Sequence, residues 1–269
     1  MTANPVPRPL ANPRTLYAAC PLCDCPEIPF LREGNCTQHP LYSPQLPPAI
    51  RWHRCAKCQH VFTDGYFTPA ATGIIFSRTN TNQQVGHDIE RQRFVSARMV
   101  ERVARHARPS GEWLDVGAGN GSLIFTADEF GYKATALDLR RDTVTALQRL
   151  GIAAHCVSIE DFDAPERFAV VSMADVLEHM PFPKIGLAAA QRLLQPGGML
   201  LISMPNMDCA LWRALDAQNA NPYWGEIEHY HNFSRQRLYE LLQECGFTSH
   251  TYAISERYRA CMEIVAVRD

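Results

Sequence analysis

The sequence predicts an α/β protein, a doubly wound sheet with a small cysteine-clipped module in front of it. Three observations carry this. The apolar run at residues 113–116 leads into the glycine turn "GAGNG" and then into a helical pattern from Ser122. Short apolar strand patterns recur from there to the end of the chain, with a helical stretch again at 234–245. Two C-x-x-C pairs stand within the first sixty residues.

A chain of 269 residues can hold one large domain, or one domain of ordinary size with an attachment, and a 46% hydrophobic content fills a core. The formal charge is −2 and the basic residues are scattered among acids, so nothing advertises a phosphate backbone as partner. Residues 1–15 are polar and proline-rich, which reads as an extended or disordered segment without the apolar core of a signal peptide. No segment approaches the roughly 18 apolar residues of a membrane span. The expectation is a soluble cytoplasmic protein without membrane contact.

Residues 16–67 form the next unit. In a chain without an export signal, ten cysteines argue for reduced thiols and metal ligation. "CPLC" (Cys20, Cys23) and "CAKC" (Cys55, Cys58) are two knuckles whose four thiolates make the tetrahedron that zinc accepts. Between them Pro26, Pro29, Pro40, Pro44, Pro47 and Pro48 leave little room for a helix or central strand, so the piece needs a staple. The stretch resembles a zinc-ribbon module. It departs from the pattern at Asp24 and Gln59, where ribbons often place a glycine, and Cys25 and Cys36 offer rival ligands. His39, His53 and His60 read as bystanders. The bland alternative is cysteines kept as small buried hydrophobes. A closed four-cysteine site would be structural, so the chemistry lies elsewhere.

Residues 68–110 read as a linker and a helix, with Ile89, Phe94, Ala97, Val100, Val103 and Ala104 at helical spacing and Pro109, Ser110 and Gly111 as the stop. Residues 111–269 then form the main domain. A strand at 113–116, the turn, and a helix at 122–130 ended by Gly131 place Gly117, Gly119 and Gly121 at alternate positions, which is not the spacing of the dinucleotide fingerprint. Asp115 would put a carboxylate near the turn, suiting an ammonium group and repelling phosphate. Asp138 ends the strand "KATALDL", where an acid can accept two hydrogen bonds from a ribose diol. An adenosine carrying a charged amino acid fits both.

"LDVGAGNG", Asp138, "SIEDF", "DVLEHMPFP", "LLQPGGMLLISMPN" and "HNFSRQRLYELLQECGF" together resemble the successive motifs of class I S-adenosylmethionine-dependent methyltransferases, over about residues 88–269. The resemblance implies a Rossmann-like seven-stranded sheet with its last strand reversed. It implies that Gly117, Ala118, Gly119, Asn120 and Gly121 line the methionine half of S-adenosylmethionine, that Asp115 holds its ammonium directly or through water, and that Asp138 with Leu139 takes the ribose. Ser158, Ile159 and Glu160 would lie near the adenine, with serine where many relatives carry aspartate, and Ala174 and Asp175 would complete the cofactor side. A glycine turn on another nucleotide-binding fold is the alternative weighed against this.

The remaining strands are expected at 152–157, 168–173, 198–204, 250–254 and 260–267, with a helix at 234–245. Methyl transfer from a sulfonium is an in-line displacement that mainly needs alignment. Substrates sit outside the carboxyl ends of the strands of an open α/β sheet. That points to "ADVLEHM" and to the connection at 205–233, which is long enough to be a lid. His229 is the first choice of general base, with Glu228 beside it and His231 and His179 as alternatives. A core or capping histidine is the bland reading of His229. Asp175, Glu178 and His179 resemble the carboxylate-carboxylate-histidine pattern that holds magnesium in some quinone-pathway methyltransferases, against which a structural role is weighed. The function read from all this is methylation of a small molecule, at oxygen first, or at carbon or nitrogen of a sugar or aromatic metabolite. An rRNA base methyltransferase gripping RNA through the ribbon and a non-catalytic S-adenosylmethionine-binding protein are the alternatives. Whether the ribbon covers the active site or mediates a homodimer is left open.

Overall fold

The computed structural model describes residues 8–76, 81–107, 110–258 and 260–269. Pro109, expected as a helix stop, and the first seven residues lie outside them.

The main sheet is built from strands whose two faces are both apolar, as a doubly covered sheet requires. β6 (Glu112–Val116), β7 (Lys133–Leu137), β8 (Ala153–His155), β9 (Phe168–Ala174) and β10 (Leu194–Pro205) run parallel, and β12 (Phe247–Ile254) and β13 (Cys261–Arg268) complete seven strands in the order β12-β13-β10-β9-β6-β7-β8. β13 is antiparallel to both of its neighbours, so the last strand is the reversed one. On one face Trp113, Ala136, Val170 and Leu201 pack with α2 (Ile89–Ala104), α3 (Ser122–Glu129) and α4 (Arg141–Arg149). On the other Leu114, Val116, Val171 and Leu200 pack with α5 (Pro183–Leu193) and α7 (Arg235–Glu244). The chain winds outward from β6 to β8 and, in the other direction, from β9 to β10. The crevice between the ends of β6 and β9 is therefore the topological switch point where a ligand is expected.

Two strands start several residues earlier than expected, and β8 is shorter than the expected 152–157. β10 begins at Leu194, because Leu194 pairs with Phe168 and the Pro196–Gly197 step is absorbed as a bulge, with Gly197 at φ 72°. β12 begins at Phe247, paired with Arg268. α7 starts where Ser234 Oγ accepts the Arg237 N–H at 3.0 Å.

The amino-terminal residues form β1 (Arg14–Leu16), β2 (Phe30–Asn35), β3 (Ala49–Arg54), β4 (Val61–Thr63), β5 (Gly65–Phe67) and α1 (Pro69–Phe76). β1 pairs with β5, while β2, β3 and β4 take a fourth strand, β11 (His231–Asn232), from the far end of the 205–233 connection. That connection carries structure of its own, α6 (Ala210–Ala217) and a 3-10 turn at Pro222–Gly225. Trp52 Nε1–H donates to the Trp224 carbonyl at 2.9 Å, and a Cβ on Gly34 would stand 1.6 Å from that same oxygen, so this approach demands glycine. Trp52, Ile50 and Leu41 share a core with Trp212, Trp224 and Ile227. The proline-rich module thus borrows its apolar partners from the 205–233 connection. Among the described residues no helix is long and apolar enough to cross a membrane.

Candidate active site

The glycine turn closes the end of β6. Gly117, Gly119 and Gly121 all have left-handed φ (70°, 52° and 81°), which a residue with a Cβ adopts only under strain. Asp138, just past β7, fastens the turn: its Oδ2 accepts the Gly119 N–H at 3.0 Å and its Oδ1 the Arg140 N–H at 2.8 Å. Asp138 also lines a cavity with Gly117, Gly119, Leu139, Arg140 and Phe76 of α1. A second cavity runs over Gly117, Ala118, Gly119 and Asn120 to Ala174, Asp175 and two arginines, Arg91 and Arg257.

Other residues expected on the cofactor side lie further back. Asp115 is buried beneath the turn and lines neither cavity; its Oδ1 accepts the Ser172 hydroxyl at 2.6 Å, and burial, opposed by that bond, raises its pKa to about 7. A Cβ on Gly121 would meet the Phe125 ring at 2.5 Å, so this glycine serves packing. Ser158 Oγ bonds Asp161 at 2.9 Å, Ile159 is in the core and Glu160 is exposed; none of the three lines the described cavities.

A third cavity adjoins both. His179, Glu228 and His229 line it together with Glu178, Glu226 and His39. His179 and His229 meet edge to face at 4.6 Å, and His179 Nδ1–H donates to the Glu228 carbonyl at 3.0 Å. Burial, then the nearby His179, lowers His229 to about 3, so the titration near neutrality expected of a general base is absent from this imidazole. Burial would raise the Glu226 carboxyl, yet the His39 hydrogen bond and the surrounding imidazoles hold it at about 2. Glu228 Oε1 is 3.4 Å from Arg140 Nη2, which ties the 205–233 connection to the loop after β7.

His231 is a correction: it lines none of the three cavities. Fully buried, it donates from Nε2 to the Met180 carbonyl at 2.9 Å and accepts at Nδ1 from His60 at 3.0 Å. Pairing of β11 with β4 sets that direction. His60, taken for a bystander, is its partner.

The four knuckle cysteines converge, with Cys20–Cys58 sulfurs 3.7 Å and Cys23–Cys55 sulfurs 3.5 Å apart and all four within 4.8 Å. Zinc–sulfur bonds of about 2.3 Å give tetrahedral edges of about 3.8 Å, so the set fits zinc. Asp24 and Gln59 take the left-handed turn themselves, at φ 56° and 58°. Cys25 faces the Glu27 carbonyl and Cys36 is buried in another core, both outside the cluster.

Sequence reasoning missed Phe76, Gln83, Arg91, Arg257 and His39, which come to the cavities from separate elements. Only the charge on the two arginines offered a signal.

A family model described as a methyltransferase domain matches residues 87–252. The ubiquinone biosynthesis O-methyltransferase of Xanthomonas campestris pv. campestris (strain B100) is 34% identical over 111 residues, 38% of this chain and 46% of that protein. That of Chromobacterium violaceum is 32% identical over 113 residues, 39% and 49% respectively. The chain thus spans about half the length of the curated relatives it matches. Among solved structures, the Burkholderia thailandensis 1,6-didemethyltoxoflavin-N1-methyltransferase, with 1,6-didemethyltoxoflavin and S-adenosylhomocysteine bound, superposes with a TM-score of 0.58 at 20% identity, covering 79% of this chain and 97% of that one. Synechocystis PCC 6803 magnesium protoporphyrin IX methyltransferase with S-adenosylhomocysteine gives 0.54 at 16% identity over 77% and 90%. At these identities the likeness is one of fold.

Proposed function

Because the chain belongs to the methyltransferase-domain family, we propose that it transfers a methyl group from S-adenosylmethionine to an oxygen of a small-molecule acceptor. The observation that carries this reading is the meeting of the three cavities. Gln83 and Asp175 line all of them, so a ligand over Asp138 and the glycine turn reaches the chamber of His179, Glu228 and His229.

S-adenosylmethionine fits the first two cavities by chemistry. Its ribose diol would meet Asp138, its adenine the Leu139 and Phe76 side, and its amino-acid end the space between Gly117–Asn120 and Arg91 and Arg257. The sulfonium would then lie where the cavities join, near Gln83 and Asp175, and would supply a methyl group to an acceptor oxygen in the third cavity, leaving as S-adenosylhomocysteine while the hydroxyl proton passes to water. Alignment of this sort is worth about 7–11 kcal/mol. His179, Glu228 and His229 orient the acceptor, and His231 holds the end of the connection that carries Glu228 and His229. The O-methyltransferase names of the curated relatives support oxygen as the accepting atom.

The four-cysteine cluster is assigned a structural zinc, supported by its sulfur spacing. On this reading residues 16–67 are a zinc-clipped module, and residues 111–269 are the cofactor-binding domain.

Incubation with methyl-labelled S-adenosylmethionine and a panel of hydroxylated aromatic and sugar acceptors tests the proposal. Label should move to an oxygen of one acceptor with an equal yield of S-adenosylhomocysteine. Tight cofactor binding with no transfer to any acceptor would reduce the protein to a binder.

A further inference from the structure

Asp175, Glu178 and His179 form a magnesium-type pattern in the sequence, but the fold does not assemble it. Asp175 sits at φ 58° with Oδ2 3.4 Å from Arg257 Nη2, and its Oδ1 accepts the Ser203 hydroxyl at 3.3 Å. Its charge faces Arg257, although Oδ2 itself has no hydrogen-bond partner. In its place the 205–233 connection brings His229, so that one donor atom from each of Glu178, His179 and His229 lies within 4.8 Å of the others.

These donors are uncommitted. Among the described residues both Glu178 carboxylate oxygens and His229 Nδ1 have no hydrogen-bond partner, although the two residues are only 1% and 7% exposed. A buried polar atom left unpaired is destabilising, and here three belong to two residues on a single cavity wall. His179 donates from Nδ1 to the Glu228 carbonyl, which turns the lone pair of Nε2 outward, the arrangement that orients metal-bound imidazoles. The neighbouring group of His39, Glu226 and Glu228 also converges, but there His39 is paired with Glu226 and Glu228 with Arg140.

We propose that Glu178, His179 and His229 bind a divalent transition-metal ion in the third cavity, a site separate from the four-cysteine cluster. Two imidazoles and one carboxylate suit zinc, manganese, iron or cobalt, whereas magnesium prefers an octahedron of oxygens. Three protein ligands leave positions open toward the cavity, where an oxygen of the acceptor can complete the shell. This last point rests on the reading of that cavity as the acceptor site; the metal site itself does not.

The test is a manganese titration of the full-length, zinc-replete protein, followed by loss of the free-ion electron paramagnetic resonance signal, with zinc as competitor. About one manganese per chain should bind, and Glu178→Gln, His179→Gln and His229→Gln should each weaken it at least about tenfold. Asp175→Asn should retain the ion. Circular dichroism and thermal melting, measured on every variant, report folding. Should Glu178→Gln fail to fold, the native titration and His229→Gln decide. The proposal is overturned if neither manganese nor zinc binds beyond the cysteine-held ion, or if Asp175→Asn loses the ion while His229→Gln keeps it. None of these readouts needs turnover, so failure of methyl transfer and failure of the metal site are told apart.

Discussion

Replacing Asp138 by alanine removes one carboxylate with two duties. In the free protein it accepts the Gly119 and Arg140 backbone N–H groups at 3.0 and 2.8 Å. With cofactor bound it is assigned the ribose. The two N–H groups border an open cavity, where water can replace the lost acceptor, so the cofactor contact sets the minimum loss. A hydrogen bond to a charged group contributes about 1.5–3 kcal/mol, which corresponds to roughly tenfold to 150-fold in affinity. Isothermal titration with S-adenosylhomocysteine measures it, with Asp138→Asn, which keeps an acceptor oxygen without the charge, expected between native and alanine. Native affinity in Asp138→Ala, with the fold intact by thermal melting, would refute the assignment of this carboxylate.

Other outcomes follow from the same geometry. Stripping metal from the four cysteines should lower the melting temperature of the whole chain in one transition, because Cys20 and Cys55 pack in the same apolar cluster as Leu114 and Val171; calorimetry showing the main transition unmoved would contradict this. Glu226, depressed to about 2 against an unfolded value near 4.3, contributes stability that is present above about pH 4.3 and lost as pH falls through its folded value. The stability difference between native protein and Glu226→Gln, followed by urea melts, should therefore shrink as pH drops below about 4.3. His229, lowered to about 3, is neutral throughout the physiological range, so kcat/KM should show no His229-dependent limb between about pH 5 and pH 8. A limb near neutrality that vanishes in His229→Gln would place that imidazole in water.

Asp138 and the glycine turn were legible because they depend on local chain geometry: a strand end, a left-handed step and an acid at the next strand end are covalently close to what they do. The histidines were not. His229 and His231 stand two residues apart, and only pairing of β11 with β4 decides that one enters the cavity and the other bonds His60. Burial, which sets the pKa of His229, is likewise a property of packing. Phe76 reaches the cavities from α1 and His39 from the module, contacts with no signal in spacing. The start of β10 was misplaced because Pro196–Gly197 reads as a turn, and the fold accommodates it as a bulge. The doubled knuckle placed its four cysteines together although Asp24 and Gln59 replace the usual glycines, since the backbone can hold either residue left-handed when four sulfurs converge.

The most direct test of the account is a crystal structure with S-adenosylhomocysteine. It should show the ribose hydroxyls on Asp138, the homocysteine end along Gly117–Asn120 toward Arg91 and Arg257, and the sulfur facing the cavity of His179 and His229. A ribose away from Asp138, or a sulfur closed off from that cavity, would contradict it.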